Sequence, residues 1–178
     1  MFYQNDDSES IATIGGTFDT LHPGHKEYIQ LAFEWVERVL IYVSSDEYCN
    51  GKKKYKVRPF ELRVKELEEF IKTLGCEKRY EICRLNTHEQ LMADYFDNPN
   101  LHERIHIAIV SPEYYDFFHA INCERKERGM RTFLILVKER KCNGENNKEY
   151  SSTKIRKHAY SKLISFEKEK ERDQFDWL

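Results

Sequence analysis

No stretch of the chain strings together the roughly 18 apolar residues that a membrane-spanning helix needs. The opening Met1-Phe-Tyr-Gln-Asn-Asp-Asp-Ser-Glu-Ser10 is polar and acidic, unlike the apolar core of a signal peptide or the basic composition of a transit peptide. Both absences point to the cytoplasm, with no membrane partner. Neither charge predominates, since 29 basic residues stand against 31 acidic ones, so nothing global calls for a nucleic-acid partner. The five cysteines, Cys49, Cys76, Cys83, Cys123 and Cys142, are odd in number and form no Cys-x-x-Cys pair. Neither a disulfide framework nor a zinc ribbon is indicated, and the thiols are read as reduced. The chain also lacks a Gly-x-x-x-x-Gly-Lys-Ser/Thr phosphate loop, an internal repeat and a dividing linker. Its 178 residues suit one domain over 10–178 behind a flexible extension over 1–9.

What is present centres on Ile11 to Phe33. An apolar strand, Ile11-Ala-Thr-Ile14, runs into Gly15-Gly16-Thr17-Phe18-Asp19-Thr20-Leu21-His22-Pro23-Gly24-His25, and then into an amphipathic run carrying Tyr28, Ile29, Leu31, Ala32 and Phe33. Glycines at a strand tip let the backbone approach a phosphate, and the next helix turns its unpaired amides and positive dipole end toward an anion. Pro23 suits the first helical turn. It would hold His22 and His25 at the helix mouth, three apart on one face, where two imidazoles can act on one group.

The rest alternates strands with helices. Arg38 to Ser44 reads as a buried parallel strand, 45–56 as a polar, basic loop, and Pro59 as the start of a helix stopped by Gly75. Arg79 to Leu85 is a third strand, and 86–103 is irregular with a turn at Asn98-Pro99-Asn100. A strand at Ile105 to Val110, a helix from Ser111-Pro112-Glu113 to about Arg128, and a strand at Thr132 to Val137 follow. Lys141 to Lys148 is a loop, and Ser151, Ser152 and Thr153 can cap a further helix that holds Lys154 and Arg156. Phe175, Trp177 and Leu178 form an apolar tail, read as covering the domain or a neighbouring subunit. Such alternation implies βαβ units with right-handed crossovers. The expected product is an α/β, Rossmann-like three-layer fold with a five-stranded parallel sheet, binding ligands beyond the carboxyl ends of its strands.

Gly15-Gly16-Thr17-Phe18-Asp19 followed by His22-x-Gly24-His25 resembles the signature of the HxGH nucleotidyltransferase superfamily. Further blocks occur in order: Ser44-Ser45-Asp46-Glu47, Arg58-Pro59-Phe60-Glu61-Leu62-Arg63, Ile109-Val110-Ser111-Pro112-Glu113, Ala120-Ile121-Asn122-x-x-Arg125 and Ser151-Ser152-Thr153-Lys154-Ile155-Arg156. Together, over roughly residues 10–160, they resemble the phosphopantetheine adenylyltransferase family of archaeal and eukaryotic type. The bacterial branch instead carries an Arg-Gly-Leu-Arg block after the fourth strand. Where the family often has an Asp-Pro-Tyr-Gly-Pro-like block, this chain has Asn86-Thr87-His88-Glu89-Gln90.

The resemblance implies joining of ATP to 4'-phosphopantetheine with release of pyrophosphate and formation of dephospho-coenzyme A. Mg²⁺ would be delivered with ATP rather than held in a protein metal site. It implies that Gly16, Thr17 and Phe18 contact phosphates, with Thr17 bridging the substrates. His22 and His25 would donate hydrogen bonds at the α-phosphate, and Ser151, Ser152, Thr153 and Arg156 would hold the rest of the triphosphate. Ser111 and Glu113 would face adenosine, or could simply cap the helix. On the acceptor side it points to Asp19, Lys52, Lys54 and Arg63, one lysine of the 52–56 loop neutralising the attacking phosphate, with Lys54 preferred. Asp19 could equally cap the coming helix, and Arg63 and Arg156 could equally serve surface ion pairs. Oligomeric state and feedback by coenzyme A stay open.

Other readings differ in class. His102-Glu103-Arg104-Ile105-His106 spells the zinc-protease motif His-Glu-x-x-His. Its histidines must share a helical face, and here Ile105, Ile107 and Ile109 favour a strand, in which they would stand about 13 Å apart. Cytidylyltransferases, nicotinamide-mononucleotide adenylyltransferases and a non-catalytic nucleotide-binding protein are the remaining alternatives.

Overall fold

The computed structural model describes residues 9–50 and 56–139 and, as backbone, 142–143 and 148–149. Its centre is β1 (Ile11–Gly16), followed by α1 (Pro23–Trp35) and β2 (Arg38–Ser44). A short α2 (Asp46–Asn50), α3 (Phe60–Thr73), β3 (Tyr80–Leu85) and α4 (His88–Phe96) come next. The chain continues through β4 (Ile105–Val110), a 3₁₀ turn over Pro112–Tyr114, α5 (Tyr115–Glu127) and β5 (Leu134–Val137). Gly75 and Gly129 adopt φ 68° and 71° just past α3 and α5, the left-handed ending that glycine permits without steric cost. Among the described residues no helix is long and apolar enough to cross a membrane.

The five strands pair in parallel in the order β3-β2-β1-β4-β5, as the alternation of elements requires. Alternation along β2 explains the layering. Val39, Ile41 and Val43 face a core shared with Ile29 and Phe33 of α1 and Leu67 and Ile71 of α3. Leu40 and Tyr42 face a second core with Leu91 and Tyr95 of α4 and Ile121 of α5. A strand buried on both faces reads as an unbroken apolar run, and Arg38 to Ser44 has that pattern.

Three segments differ from the sequence reading. The loop expected over 45–56 opens with α2, in which Asp46 and Glu47 occupy the first turn and favour it through the helix dipole. The irregular 86–103 contains α4. Thr87 caps it, its hydroxyl accepting from the Gln90 amide at 3.1 Å, while the Gln90 side chain accepts from the Asn86 amide at 3.0 Å. This is close to a capping box. The altered block Asn86-Thr87-His88-Glu89-Gln90 is thus a helix start. Within the loop expected over 141–148, β6 (Cys142–Asn143) pairs antiparallel with β7 (Lys148–Glu149).

Guanidinium groups fasten helix ends to the sheet. Arg79 donates to the carbonyls of Phe33, Val36 and Glu37, satisfying the orphaned carboxyl end of α1. Fully buried Arg125 donates to the carbonyls of Arg131, Tyr95 and His102, and burial pushes its pKa down. The Asn122 side chain both donates to and accepts from the backbone of Phe133. The Ala120-Ile121-Asn122-x-x-Arg125 block therefore seats α5 against β5.

Candidate active site

The strand order reverses between β1 and β4, and an open parallel sheet forms its ligand crevice at the carboxyl ends of the strands flanking that reversal. Pairing between β1 and β2 continues to Gly16 opposite Val43. Pairing between β1 and β4 stops at Thr13 opposite Ala108. The two strand tips therefore part, and the segments beyond them, 17–25 and 111–114, border the crevice.

On the β1 side the histidines are fixed in complementary ways. His22 is the N-cap of α1, its Nδ1 accepting from the His25 amide at 3.3 Å. That bond requires an unprotonated Nδ1, so the neutral His22 ring carries its proton on Nε2 and can donate there. His25 Nδ1 lies 2.9 Å from the Thr20 carbonyl, which can only accept, so this ring holds its proton on Nδ1. Its Nε2 becomes a second donor only in the imidazolium form. The rings stack at 3.8 Å between centroids with an 18° tilt. The sequence placed both at the helix mouth, and the structure brings them there as a pair.

The loop that leads to them is strained. Phe18 has φ 48°, a left-handed conformation that bulky residues rarely adopt, and it is 1% exposed. Its ring lies 5.4 Å from that of His25. A Cβ at position 16 would stand 3.2 Å from the Phe18 ring, so Gly16 leaves room for that ring. Buried Asp19 accepts from the Arg58 amide at 2.8 Å and lies 3.6 Å from the Arg58 guanidinium. It ties the motif to the segment before α3, and capping of α1 falls to His22.

Arg63 departs from the role that the resemblance implied. Its side chain has no exposed surface, and its donors go to the carbonyls of Arg58 at 2.8 Å, Thr17 at 2.6 Å and Ser44 at 2.8 Å. A further bond reaches Asp46 Oδ1 at 2.7 Å. Asp46 in turn accepts from the Phe60 amide at 3.2 Å, at the start of α3. Arg63 thus joins the loop after β1, the end of β2, the start of α2 and the approach to α3. It shapes the site from beneath and does not face a substrate phosphate.

Thr17 is half-buried at the crevice edge, with its carbonyl held by Arg63. Beyond β4, Ser111 is half-buried and Glu113 exposed. The Ser111 hydroxyl makes no cap bond, whereas its carbonyl accepts from the Tyr114 amide at 3.0 Å. Lys52, Lys54, Ser151, Ser152, Thr153 and Arg156 lie outside the described residues. The zinc-protease spelling does not form a helical pair, because His102 precedes β4 and His106 lies within it. Among the described residues no three His, Cys, Asp or Glu side chains gather into a metal-binding group.

A family model for cytidylyltransferase-like proteins matches residues 13–158, which include both histidines and the strand tips. A phosphopantetheine adenylyltransferase from Methanopyrus kandleri is 32% identical over 143 residues, covering 80% of this chain and 86% of the relative. The chain belongs to the phosphopantetheine adenylyltransferase family. A family member from Methanosarcina barkeri is 36% identical over 147 residues, 81% of this chain and 84% of its own. Among solved structures, a protein of unknown function from Archaeoglobus fulgidus superposes with a TM-score of 0.57 at 28% identity, covering 72% of this chain and 88% of that one. A bifunctional NMN adenylyltransferase/ADP ribose pyrophosphatase from Francisella tularensis, at 16% identity and a TM-score of 0.56 over 86% of this chain and 42% of that one, shares the fold. The family model thus spans both segments that border the crevice.

Proposed function

We propose that the chain joins ATP and 4'-phosphopantetheine, releasing pyrophosphate and forming dephospho-coenzyme A. The observation that carries this reading is the stacked His22–His25 pair at the strand-order reversal of a sheet whose relatives are phosphopantetheine adenylyltransferases. The acceptor phosphate attacks the α-phosphorus in line, and no protein side chain becomes covalent. Catalysis then rests on positioning and charge stabilisation. His22 donates through Nε2 to a non-bridging oxygen of the α-phosphate, and His25 donates through Nε2 as an imidazolium while charge builds there. Thr17 bridges the two substrates, and Gly16 and Phe18 hold the phosphate loop. Ser111 and Glu113 flank adenosine, and Asp19 orders the motif. Lys54, together with Lys52, neutralises the acceptor phosphate, while Ser151, Ser152, Thr153 and Arg156 receive the departing pyrophosphate. Mg²⁺ delivered with ATP would offset part of the triphosphate's negative charge. The cytoplasm is the compartment we propose.

The test is pyrophosphate release on mixing the purified chain with MgATP and 4'-phosphopantetheine. Dephospho-coenzyme A should appear in equal amount, and neither nicotinamide mononucleotide with ATP nor phosphocholine with CTP should release pyrophosphate above background. Release with either of those pairs but not with phosphopantetheine would overturn the reading.

A further inference from the structure

The parting of β1 from β4 leaves two backbone groups that strand pairing would otherwise satisfy. The hydroxyl of Tyr28, from α1, fills the gap. It accepts from the Gly15 amide at 3.3 Å and donates to the Ile109 carbonyl at 2.5 Å. One oxygen therefore stands where a ladder hydrogen bond would be, one step beyond the last β1–β4 pair. Tyr28 follows His25 by three residues, as His25 follows His22, so all three side chains lie along one face at the amino end of α1. The same helix face presents the imidazoles and wedges the strand tips.

Burial raises the pKa of Tyr28, and Tyr114 and Glu113 beyond β4 raise it further. The phenol therefore stays protonated and can keep donating to Ile109. Tyr114 and Glu113 belong to the segment proposed to flank adenosine, whereas Gly15 and His25 belong to the phosphate side. Tyr28 is thus a side chain that ties the two borders of the crevice.

We infer that Tyr28 is a positioning residue that sets the width of the nucleotide crevice by replacing the missing β1–β4 hydrogen bond with its hydroxyl. The inference rests on the proposed adenylyl transfer for its kinetic consequence, though not for its geometry. Without the hydroxyl, the two borders lose their fixed spacing and ATP must supply the ordering that the fold now provides, which weakens binding and blurs in-line alignment.

The experiment compares Tyr28→Phe with Tyr95→Phe. Tyr95 shares a 2.5 Å hydrogen bond with Thr13 in the core on the other face of β1, so its variant also loses a buried hydroxyl bond to that strand but leaves the wedge in place. Both variants should unfold at lower temperature than the parent. Only Tyr28→Phe should raise the Kd for ATP, by about fivefold, and lower kcat by about tenfold, whereas Tyr95→Phe stays within about twofold in both. Equal changes in Kd for the two variants, or a Tyr28→Phe value within about twofold of the parent, would overturn the wedge. If the parent makes no dephospho-coenzyme A, the functional reading fails by itself. The ATP Kd comparison still judges the wedge.

Discussion

Replacing His25 with alanine should lower kcat by about 100-fold or more while leaving the KM for ATP within about threefold, the pattern expected when a donor acts mainly on charge that develops in the transition state. The reason lies in how the ring is held. Its Nδ1 is held by the Thr20 carbonyl 2.9 Å away, which fixes the ring, so a donor on its Nε2 would need little reorganisation when the α-phosphorus becomes more anionic. His22 cannot replace it, because its Nδ1 accepts from the amide of residue 25 and the neutral ring has a single donor. His25→Gln should recover only part of the rate, since an amide donor carries no charge. Steady-state kinetics on both variants, with thermal melting to verify the fold, checks this. An equal loss in kcat and in ATP affinity would mean that the imidazole binds the ground state.

The second large effect falls on stability. Arg63→Met should cost about 3 kcal/mol or more in urea unfolding, because three carbonyls around a fully buried guanidinium lose their donor and each unsatisfied buried acceptor costs about 1–3 kcal/mol. Three carbonyls and the Asp46 carboxylate now receive that guanidinium, and all would lose their donor at once. For a domain stable by about 5–15 kcal/mol this is a large share. Arg63→Lys keeps the charge but offers a point donor in place of a planar fork, so it should recover less than half of the loss. The same substitutions release the Thr17 carbonyl, and turnover should fall with stability. A cost below about 1 kcal/mol would show that water serves the four acceptors equally well.

These two residues also show what a linear reading can and cannot reach. The histidine pair was legible because its geometry is local: Pro23 and three-residue spacing suffice to place both rings at a helix mouth. β2 was legible because burial on both faces leaves an unbroken apolar run. Arg63 was misjudged because the carbonyl it holds belongs to Thr17, 46 positions away, and an arginine spent on backbone looks the same in sequence as one aimed at a phosphate. Tyr28 was read only as one apolar position of an amphipathic helix. Its polar role depends on β1 and β4 parting after Thr13, and strand pairing is not local. α4 escaped notice because it spans 9 residues with a polar first turn, although Thr87-x-x-Gln90 was a readable capping signal. α2 is shorter still, at 5 residues, and precedes a lysine-rich stretch that suggested only a loop.

The decisive measurement is a crystal structure of the chain with a non-hydrolysable ATP analogue. The α-phosphate should lie between the tips of β1 and β4, within hydrogen-bonding distance of Nε2 of both His22 and His25, with Ser152 and Thr153 on the outer phosphates of the same nucleotide. An analogue bound elsewhere, or one whose α-phosphate touches neither imidazole, would contradict it.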